Sequence, residues 1–392
     1  MSHRPLYLHD SYAEEAWPQL SQPEPQDITK AACLAFANQT AQSADQAMPE
    51  PSHGNDARLS CKLRTLYIAE QGAVVSLEHG RIQVRHNHEL LLSIPKQQLD
   101  SLMTFGAVHL NRSVLLQALS GQLPVMLMSQ GAFFQGLLGP QNNPSEALLQ
   151  AWLQQRQNAM PIASELVSAK IHNQLTVLRR QVRYQPEWTD DLQKLIEKIA
   201  ALLVALKRCP NLDALRGVEG LAARYYFEAM QHMVPAPWRF TGRNRQPAED
   251  PINALLSLGY SILTHNAVAF CRRRGLPLNL GFLHNADQTY PALALDTIEP
   301  FRAPIVDATV LKLVKQQKIS PNDFKETTKG CRLESKARKV FIGALEKTMQ
   351  QEVQYRDQQL ETDYRRIMDA QLLLLKQAVL DGNQDFKAFR VR

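Results

Sequence analysis

The chain has 392 residues, of which 44% are hydrophobic, and a formal net charge of +6. This length is enough for two domains and at least one sizeable core. The five cysteines are scattered and form no C-x-x-C pair, so neither a disulfide framework nor a zinc ribbon is expected. No apolar run reaches the roughly 18 residues of a membrane span, and the polar N-terminus is unlike a signal peptide, so we expect a cytoplasmic protein with no membrane partner.

Residues 1–60 differ in composition from the rest of the chain. They carry three Lys or Arg against eight Asp or Glu, a balance of −5, which leaves +11 for residues 61–392. They are also rich in Pro, Gln and Ser, which predicts an acidic, partly disordered N-terminal extension. The positive balance of the remainder suits a polyanionic partner such as double-stranded DNA.

Residues 61–140 contain short runs rich in apolar residues. Such runs occur at residues 66–68, 73–77, 82–84, 90–94 and 125–128. Ile82 and Val84 alternate with polar residues, and short runs of this kind are typical of strands. With two short helical patterns between them, these runs predict a small β-rich domain.

Residues 145–345 are helical by periodicity almost throughout. Helical patterns occur at residues 145–157, 162–183, 190–207, 212–233 and 252–274. The last has clear ends, because Asp250 can cap its N-terminus, Pro251 suits its first position and Gly275 follows it. We therefore expect an α+β protein, in which a small N-terminal β-rich domain precedes a larger all-helical domain. Residues 346–392 predict a long polar helix over 346–379 and a flexible tail.

Glu219 is an acidic residue on an apolar helical stripe. At 100° per residue, it shares an arc of about 80° with Leu212, Leu215, Ala222 and Tyr226. A buried carboxylate costs several kcal/mol unless its charge is compensated. Glu219 is therefore expected to bind a metal ion, to pair with an arginine, or to have a raised pKa.

Two further carboxylates and an imidazole lie downstream. Asp296 and Glu299 are three residues apart, which on a helix places both on one side, about 5 to 6 Å apart at Cβ. Their oxygens favour Mg²⁺ or Mn²⁺, and the imidazole of His284 shifts the preference toward Mn²⁺. Taken singly, the pair fits a solvated helix face equally well, and His284 fits a core or turn histidine. Pro300 and Pro304 predict a kink that helps to aim the two carboxylates.

Three sequence blocks contain these side chains. They are RGVEGLAARY at residues 216–225, GFLH at 281–284 and LDTIEPFR at 295–302. Together they resemble the CRISPR-associated integrase, the large catalytic subunit of the spacer-acquisition complex, and the match runs from about Leu63 to about Leu345. Further matching stretches are LYIAEQGA at 66–73, FGAV at 105–108, RNRQP at 243–247 and DPINALLSLGY at 250–260.

The resemblance implies a site that uses Mg²⁺ or Mn²⁺ in the helical domain, which would then be catalytic. In that family the glutamate of the first block, the histidine of the second and the second acid of the third bind the metal. These roles carry over to Glu219, His284 and Glu299. Asp296 matches a neighbouring acidic position of the site, less surely a direct ligand.

The resemblance also implies a reaction and partners. The 3′-hydroxyls of a short captured duplex attack opposite strands at the first repeat of a CRISPR array. Two copies of the chain pair through the β-rich domain, and a small ferredoxin-like CRISPR-associated subunit bridges two such dimers. Two alternatives stay open. One is a transposon-borne integrase of the same family, and the other is a non-catalytic, architectural DNA-binding protein in which the acidic residues pair with arginines.

Five arginines are candidates for DNA binding. Arg239, Arg243 and Arg245 fall within seven residues of one loop that contains a glycine, so three guanidiniums could wrap a phosphate backbone. A solvated loop is the alternative. Arg224 lies in the same block as Glu219, and Arg302 could pair either with Glu299 or with DNA.

Overall fold

The computed structural model describes residues 64–131, 134–139, 143–184, 189–244, 247–284, 291–327, 330–355, 360–383 and 385–392. The extension predicted over residues 1–60 lies outside the described residues. Within them, a β-rich part precedes a helical part, which confirms the predicted α+β class.

The β-rich part contains two four-stranded sheets. Its strands are β1 Thr65–Ile68, β2 Val74–Glu78, β3 Arg81–His86, β4 Glu89–Pro95, β5 Ser101–Phe105, β6 His109–Leu110, β7 Val125–Met128 and β8 Phe134–Leu138. The first sheet has the order β1-β5-β7-β8, with β8 antiparallel to β7 and the other pairs parallel. The second has the order β4-β3-β2-β6. A short helix, α1 (Arg112–Leu119), connects β6 to β7.

The first sheet buries both of its faces. On β5, Leu102 belongs to the small core between the two sheets, whereas Met103 and Phe105 belong to the core of the helical part. Strand β7 repeats the pattern with Val125 on one side and Met126 on the other. Successive strand residues point to opposite faces, so this sheet is a layer shared by two cores.

The helical part contains nine described α-helices. They are α2 Glu146–Gln157, α3 Met160–Tyr184, α4 Thr189–Ala205, α5 Leu212–Met233, α6 Pro251–Arg273, α7 Ala292–Phe301, α8 Ala308–Lys315, α9 Ser335–Met349 and α10 Tyr364–Leu380. A hairpin of β9 (Phe324–Thr327) and β10 (Gly330–Leu333) lies between α8 and α9. Helix α3 packs against α4, α5 and α7. These contacts bring together the helices that contain the acidic residues of the site.

Helix α6 begins as its sequence predicts. The side chain of Asp250 accepts a hydrogen bond from the backbone N–H of Asn253 at 2.8 Å, and Pro251 occupies the first helical position. Among the described helices, α6 alone is long and apolar enough to cross a membrane, but 72% of its most apolar window is buried inside the protein. It is therefore a core helix of this fold.

A π-helical turn, Arg302–Asp307, joins α7 to α8. Pro300 lies in the last turn of α7 and Pro304 within the π-helical turn, so the predicted kink takes the form of a change in helix type. Pro304 has no N–H, so the carbonyl of Pro300 lacks its α-helical donor. The amide of Asn173 on α3 fills this role, with Nδ2 2.6 Å from that carbonyl oxygen.

The prediction of one long polar helix and a flexible tail after residue 345 is wrong. Helix α9 ends at Met349, a hairpin of β11 (Glu352–Tyr355) and β12 (Leu360–Asp363) follows, and α10 begins after the N-cap Asp363. Residues 385–392 then run beside α3 without regular secondary structure. Four of their side chains are buried in the helical core, namely Phe386, Ala388, Phe389 and Val391. The helical core therefore includes residues 385–392.

Candidate metal centre

The site lies where three helices meet one loop. Helix α5 contributes Glu219, α7 contributes Glu299, and the segment before residue 285 contributes His284. The fourth contribution is Lys170 from α3. Its ammonium lies 2.6 Å from Oε2 of Glu299 and is also paired with Oε1 of Glu219. Two of the predicted metal ligands therefore converge on one buried cation.

Glu299 is more deeply buried than Glu219, with 2% of its side chain exposed. Its second oxygen, Oε1, lies 3.0 Å from a guanidinium nitrogen of Arg302, which stacks on the ring of Tyr260 at 4.7 Å. Burial alone raises the pKa of Glu299, but the cations around it, Arg302 and Lys170 first, lower it to about 2. Glu299 is therefore ionised at neutral pH despite its burial.

Asp296 holds the segment that contains His284. Its Oδ2 accepts from the backbone N–H groups of Phe282 and Leu283 at 2.5 and 3.0 Å. Its Oδ1 accepts from the backbone N–H of His284 at 3.0 Å and lies 2.7 Å from Nδ1 of the same residue. Burial lowers the pKa of His284, but the hydrogen bond and charge of Asp296 outweigh it and raise the pKa above its usual value.

Close packing also fixes the backbone of this segment. A Cβ at Gly281 would lie 2.7 Å from Oδ2 of Asp296, so only glycine lets the chain approach the carboxylate this closely. The carbonyl of Gly281 accepts from Nε of Arg156 at 2.8 Å, and the carbonyl of Leu283 accepts from the guanidinium of Arg216 at 2.8 Å. Arginines from α2 and α5 therefore fix the position of the imidazole.

The donor set suits a hard divalent cation. Within the described residues, no three His, Cys, Asp or Glu side chains are close enough to hold a metal ion as they lie, and Lys170 contacts both glutamates. The Asp296 contact at Nδ1 leaves Nε2 of His284 as the ring nitrogen for an ion, an arrangement common in metal-binding histidines. Two carboxylates and one imidazole fit Mg²⁺ or Mn²⁺.

The predicted DNA-binding arginines have different surroundings in the structure. Arg243 points inward and donates to Oδ1 of Asn253 at 2.8 Å and to Oγ of Ser257 at 3.1 Å, so it does not fit the predicted phosphate clamp. Arg239 is exposed and pairs with Glu326 of β9. The remaining three lie elsewhere: Arg224 exposed on α5, Arg302 inside the site beside Glu299, and Arg245 outside the described residues.

Sequence reasoning missed Lys170, although a signal was present. On α3 it lies on the apolar stripe of Ala163, Val167 and Val177, all of them buried. A lysine on such a stripe needs a negative partner inside the fold, by the same argument that singled out Glu219. The stripe predicts a buried ammonium, but only the tertiary structure shows which carboxylates it meets.

Solved structures share this fold. A CAS1 protein from Thermotoga maritima superimposes with a TM-score of 0.71 at 21% identity, covering 83% of this chain and 100% of that one. A casposase bound to an integration product gives 0.69 at 22% identity, with 83% of this chain and 92% of that chain covered. A Cas6-RT-Cas1-Cas2 complex gives 0.70 at 22% identity, with 87% of this chain and 37% of that chain covered.

Sequence comparison identifies the family. Residues 66–347 match the family described as CRISPR associated protein Cas1. The CRISPR-associated endonuclease Cas1 1 of Moorella thermoacetica is 33% identical over 306 residues, which cover 74% of this chain and 88% of the relative. A CRISPR-associated exonuclease Cas4/endonuclease Cas1 fusion of Geobacter sulfurreducens is 31% identical over 334 residues, covering 83% of this chain but 58% of the fusion. The chain therefore belongs to the Cas1 family of CRISPR-associated proteins.

Proposed function

We propose that the protein is a metal-dependent DNA endonuclease and integrase that inserts short DNA fragments at CRISPR repeats. One observation carries the proposal. Glu219 and Glu299, from separate helices, converge on one buried cation, and Asp296 fixes the imidazole of His284, whose charge helps to lower the pKa of Glu299. Ionised carboxylates brought together inside a protein form a site for a divalent cation.

Each side chain has a defined part in the proposed reaction. A bound Mg²⁺ or Mn²⁺ would withdraw electron density from the scissile phosphate and lower the pKa of the attacking 3′-hydroxyl or water. Glu219 and Glu299 would hold the ion, and His284 would supply a third ligand through Nε2. Asp296 orients His284, while Arg302 balances the charge of Glu299. The remaining task of the protein is to position two DNA ends.

The proposed assembly follows the relatives. A solved structure in which this fold occurs is a Cas6-RT-Cas1-Cas2 complex, which supports a role beside a CRISPR-associated partner subunit. We propose a homodimer formed through the β-rich part, bridged to a second dimer by a small ferredoxin-like subunit and bound to double-stranded DNA. The +11 balance of residues 61–392 favours such a polyanion, and we expect the assembly in the cytoplasm.

Two other functions predict different products. A transposon-borne integrase shares the chemistry, and the casposase with the same fold is an example, but its low identity supports the fold alone. Relatives at 31% and 33% identity are named CRISPR-associated endonucleases, which favours spacer insertion. An architectural protein needs Glu299 only as the partner of Lys170 and Arg302, so it would neither cut nor join DNA.

The decisive experiment is an integration assay. It combines the purified chain, a short duplex, a supercoiled plasmid that carries a CRISPR repeat, and Mn²⁺. We expect E219Q, H284A and E299Q each to abolish strand transfer while the far-UV circular dichroism stays native. E228Q, an exposed change on the same helix as Glu219, should retain full activity. Strand transfer at the wild-type rate in the three ligand variants would exclude this metal site.

A further inference from the structure

Lys170 is the side chain that the proposed chemistry leaves unexplained. It lies on α3, its side chain is 11% exposed, and its ammonium pairs with both Glu219 and Glu299. The two carboxylates contact the ammonium directly and stabilise its positive charge. A permanent cation therefore occupies the oxygens that a divalent ion would use.

The charges around these oxygens already balance. Glu219 and Glu299 contribute two negative charges, and Lys170 and Arg302 contribute two positive charges. A divalent ion added to this group leaves two uncompensated positive charges in a poorly solvated place, which is unfavourable. The phosphates of a DNA strand carry the charge needed to restore the balance.

We propose that Lys170 competes with the divalent ion for Glu219 and Glu299, and thereby makes tight ion binding depend on DNA. This inference rests on the proposed function, because it assumes that the two carboxylates bind the ion. Before DNA arrives, the ammonium holds the two carboxylates together and keeps the affinity for the ion low. When a phosphodiester enters, Lys170 dissociates from the two carboxylates, whose oxygens would then be available to bind the ion.

The geometry allows this exchange. Lysine has a flexible four-carbon stem, and the side chain of Lys170 is less completely enclosed than that of Glu299. Arg302 contacts Oε1 of Glu299, whereas Lys170 contacts Oε2, so Arg302 still balances Glu299 after Lys170 withdraws. A purely structural ammonium predicts the opposite behaviour, because removing it would distort the carboxylates and weaken ion binding.

Mn²⁺ affinity tests the inference without measuring catalysis. The free Mn²⁺ concentration is followed by electron paramagnetic resonance with full-length wild type, K170M and K170Q, with and without a short duplex that has 3′-deoxy ends. Without DNA, we expect both variants to bind Mn²⁺ about tenfold more tightly than wild type. With DNA, wild-type affinity should rise and the difference should shrink. K194M, a change at an exposed lysine of α4, should behave as wild type.

The possible outcomes distinguish a failure of the proposed competition from a failure of the metal assignment. K170Q keeps a hydrogen-bond donor and continues the test if K170M does not fold. Affinities in both variants that equal or fall below wild type, together with loss of binding in E299Q, would overturn the competition while leaving the metal site in place. Mn²⁺ binding that survives both E219Q and E299Q would remove the metal assignment and the inference with it.

Discussion

Both oxygens of the Asp296 carboxylate are already engaged. Three backbone N–H groups and the imidazole of His284 share them, and all four belong to residues 282–284. An ion bound directly to Asp296 would displace at least one of these hydrogen bonds, each of which is strengthened by the charge. We therefore propose that Asp296 acts by positioning the segment that contains His284.

D296N tests this role. The amide can accept at one position only, so it sets an N–H group against the backbone donors of the segment. We expect Mn²⁺ affinity to fall about 10- to 100-fold, as for other partners of metal-binding histidines, with part of the strand transfer retained. E299Q should retain none. D191N, at an exposed position of α4, is the control, and unchanged Mn²⁺ affinity in D296N would contradict the assignment.

The lowered pKa of Glu299 predicts that the protein loses folding stability at acidic pH. Its pKa is lowered from 4.5 to about 2 by the neighbouring cations, so its contribution to stability is fully present above pH 4.5 and is lost as the pH falls toward 2. In metal-free urea denaturation, we expect stability to decline over this window, and E299Q to take up about one proton fewer on unfolding. Parallel pH profiles for wild type and E299Q would refute the shift.

At the scale of elements, residues 385–392 pack against α3 and the end of α7 and so support the site. Asn173, one turn after Lys170 on α3, donates to the carbonyl of Phe389 at 3.0 Å and accepts from the N–H of Val391 at 2.8 Å. The same amide donates to Pro300. The ring of Phe389 stacks on Phe301 with centroids 5.2 Å apart. Residues 385–392, α3 and the end of α7 therefore form one packed unit.

F389A should loosen this unit. Removing a fully packed phenyl ring costs about 3 to 5 kcal/mol of stability. We expect that loss in urea denaturation, accompanied by weaker Mn²⁺ binding, because the ring supports the helix that contains Glu299. The matched control is K387A, whose side chain is exposed in the same segment. If F389A and K387A unfold at the same urea concentration, the segment does not brace the site.

Local signals made some elements predictable and left others hidden. The start of α6 was predictable, because Asp250 and Pro251 act within one helical turn. The π-helical turn and the inward direction of Arg243 depend on partners distant in sequence, such as Asn173 for the turn. The hairpin before α10 has short strands of mixed polarity, which resemble a continued polar helix in sequence. Glu219 and Glu299 were identified from sequence, whereas their meeting at Lys170 required the tertiary structure.

For the whole molecule, the acidic extension is expected to be dispensable. The described strands and helices form two hydrophobic cores, and the family match begins only at residue 66. We expect a chain lacking residues 1–55 to dimerise and integrate DNA nearly as well as the full chain. Its non-specific DNA binding should tighten, because the deleted residues carry the whole net charge of −5 of the extension. Light scattering and filter binding measure both effects, and loss of the dimer would show that the extension packs on the enzyme.

The sheet β1-β5-β7-β8 also limits how the protein can be recombined with its relatives. Met103, Phe105, Met126 and Met128 line one face of the sheet and pack into the helical core. A chimera that takes its β-rich part from another Cas1 protein must therefore match this row of side chains as well as the proposed dimer surface. Methionine adapts to irregular neighbours more easily than branched residues do. Exchange of the β-rich part should accordingly tolerate changes opposite the methionines better than changes opposite Phe105.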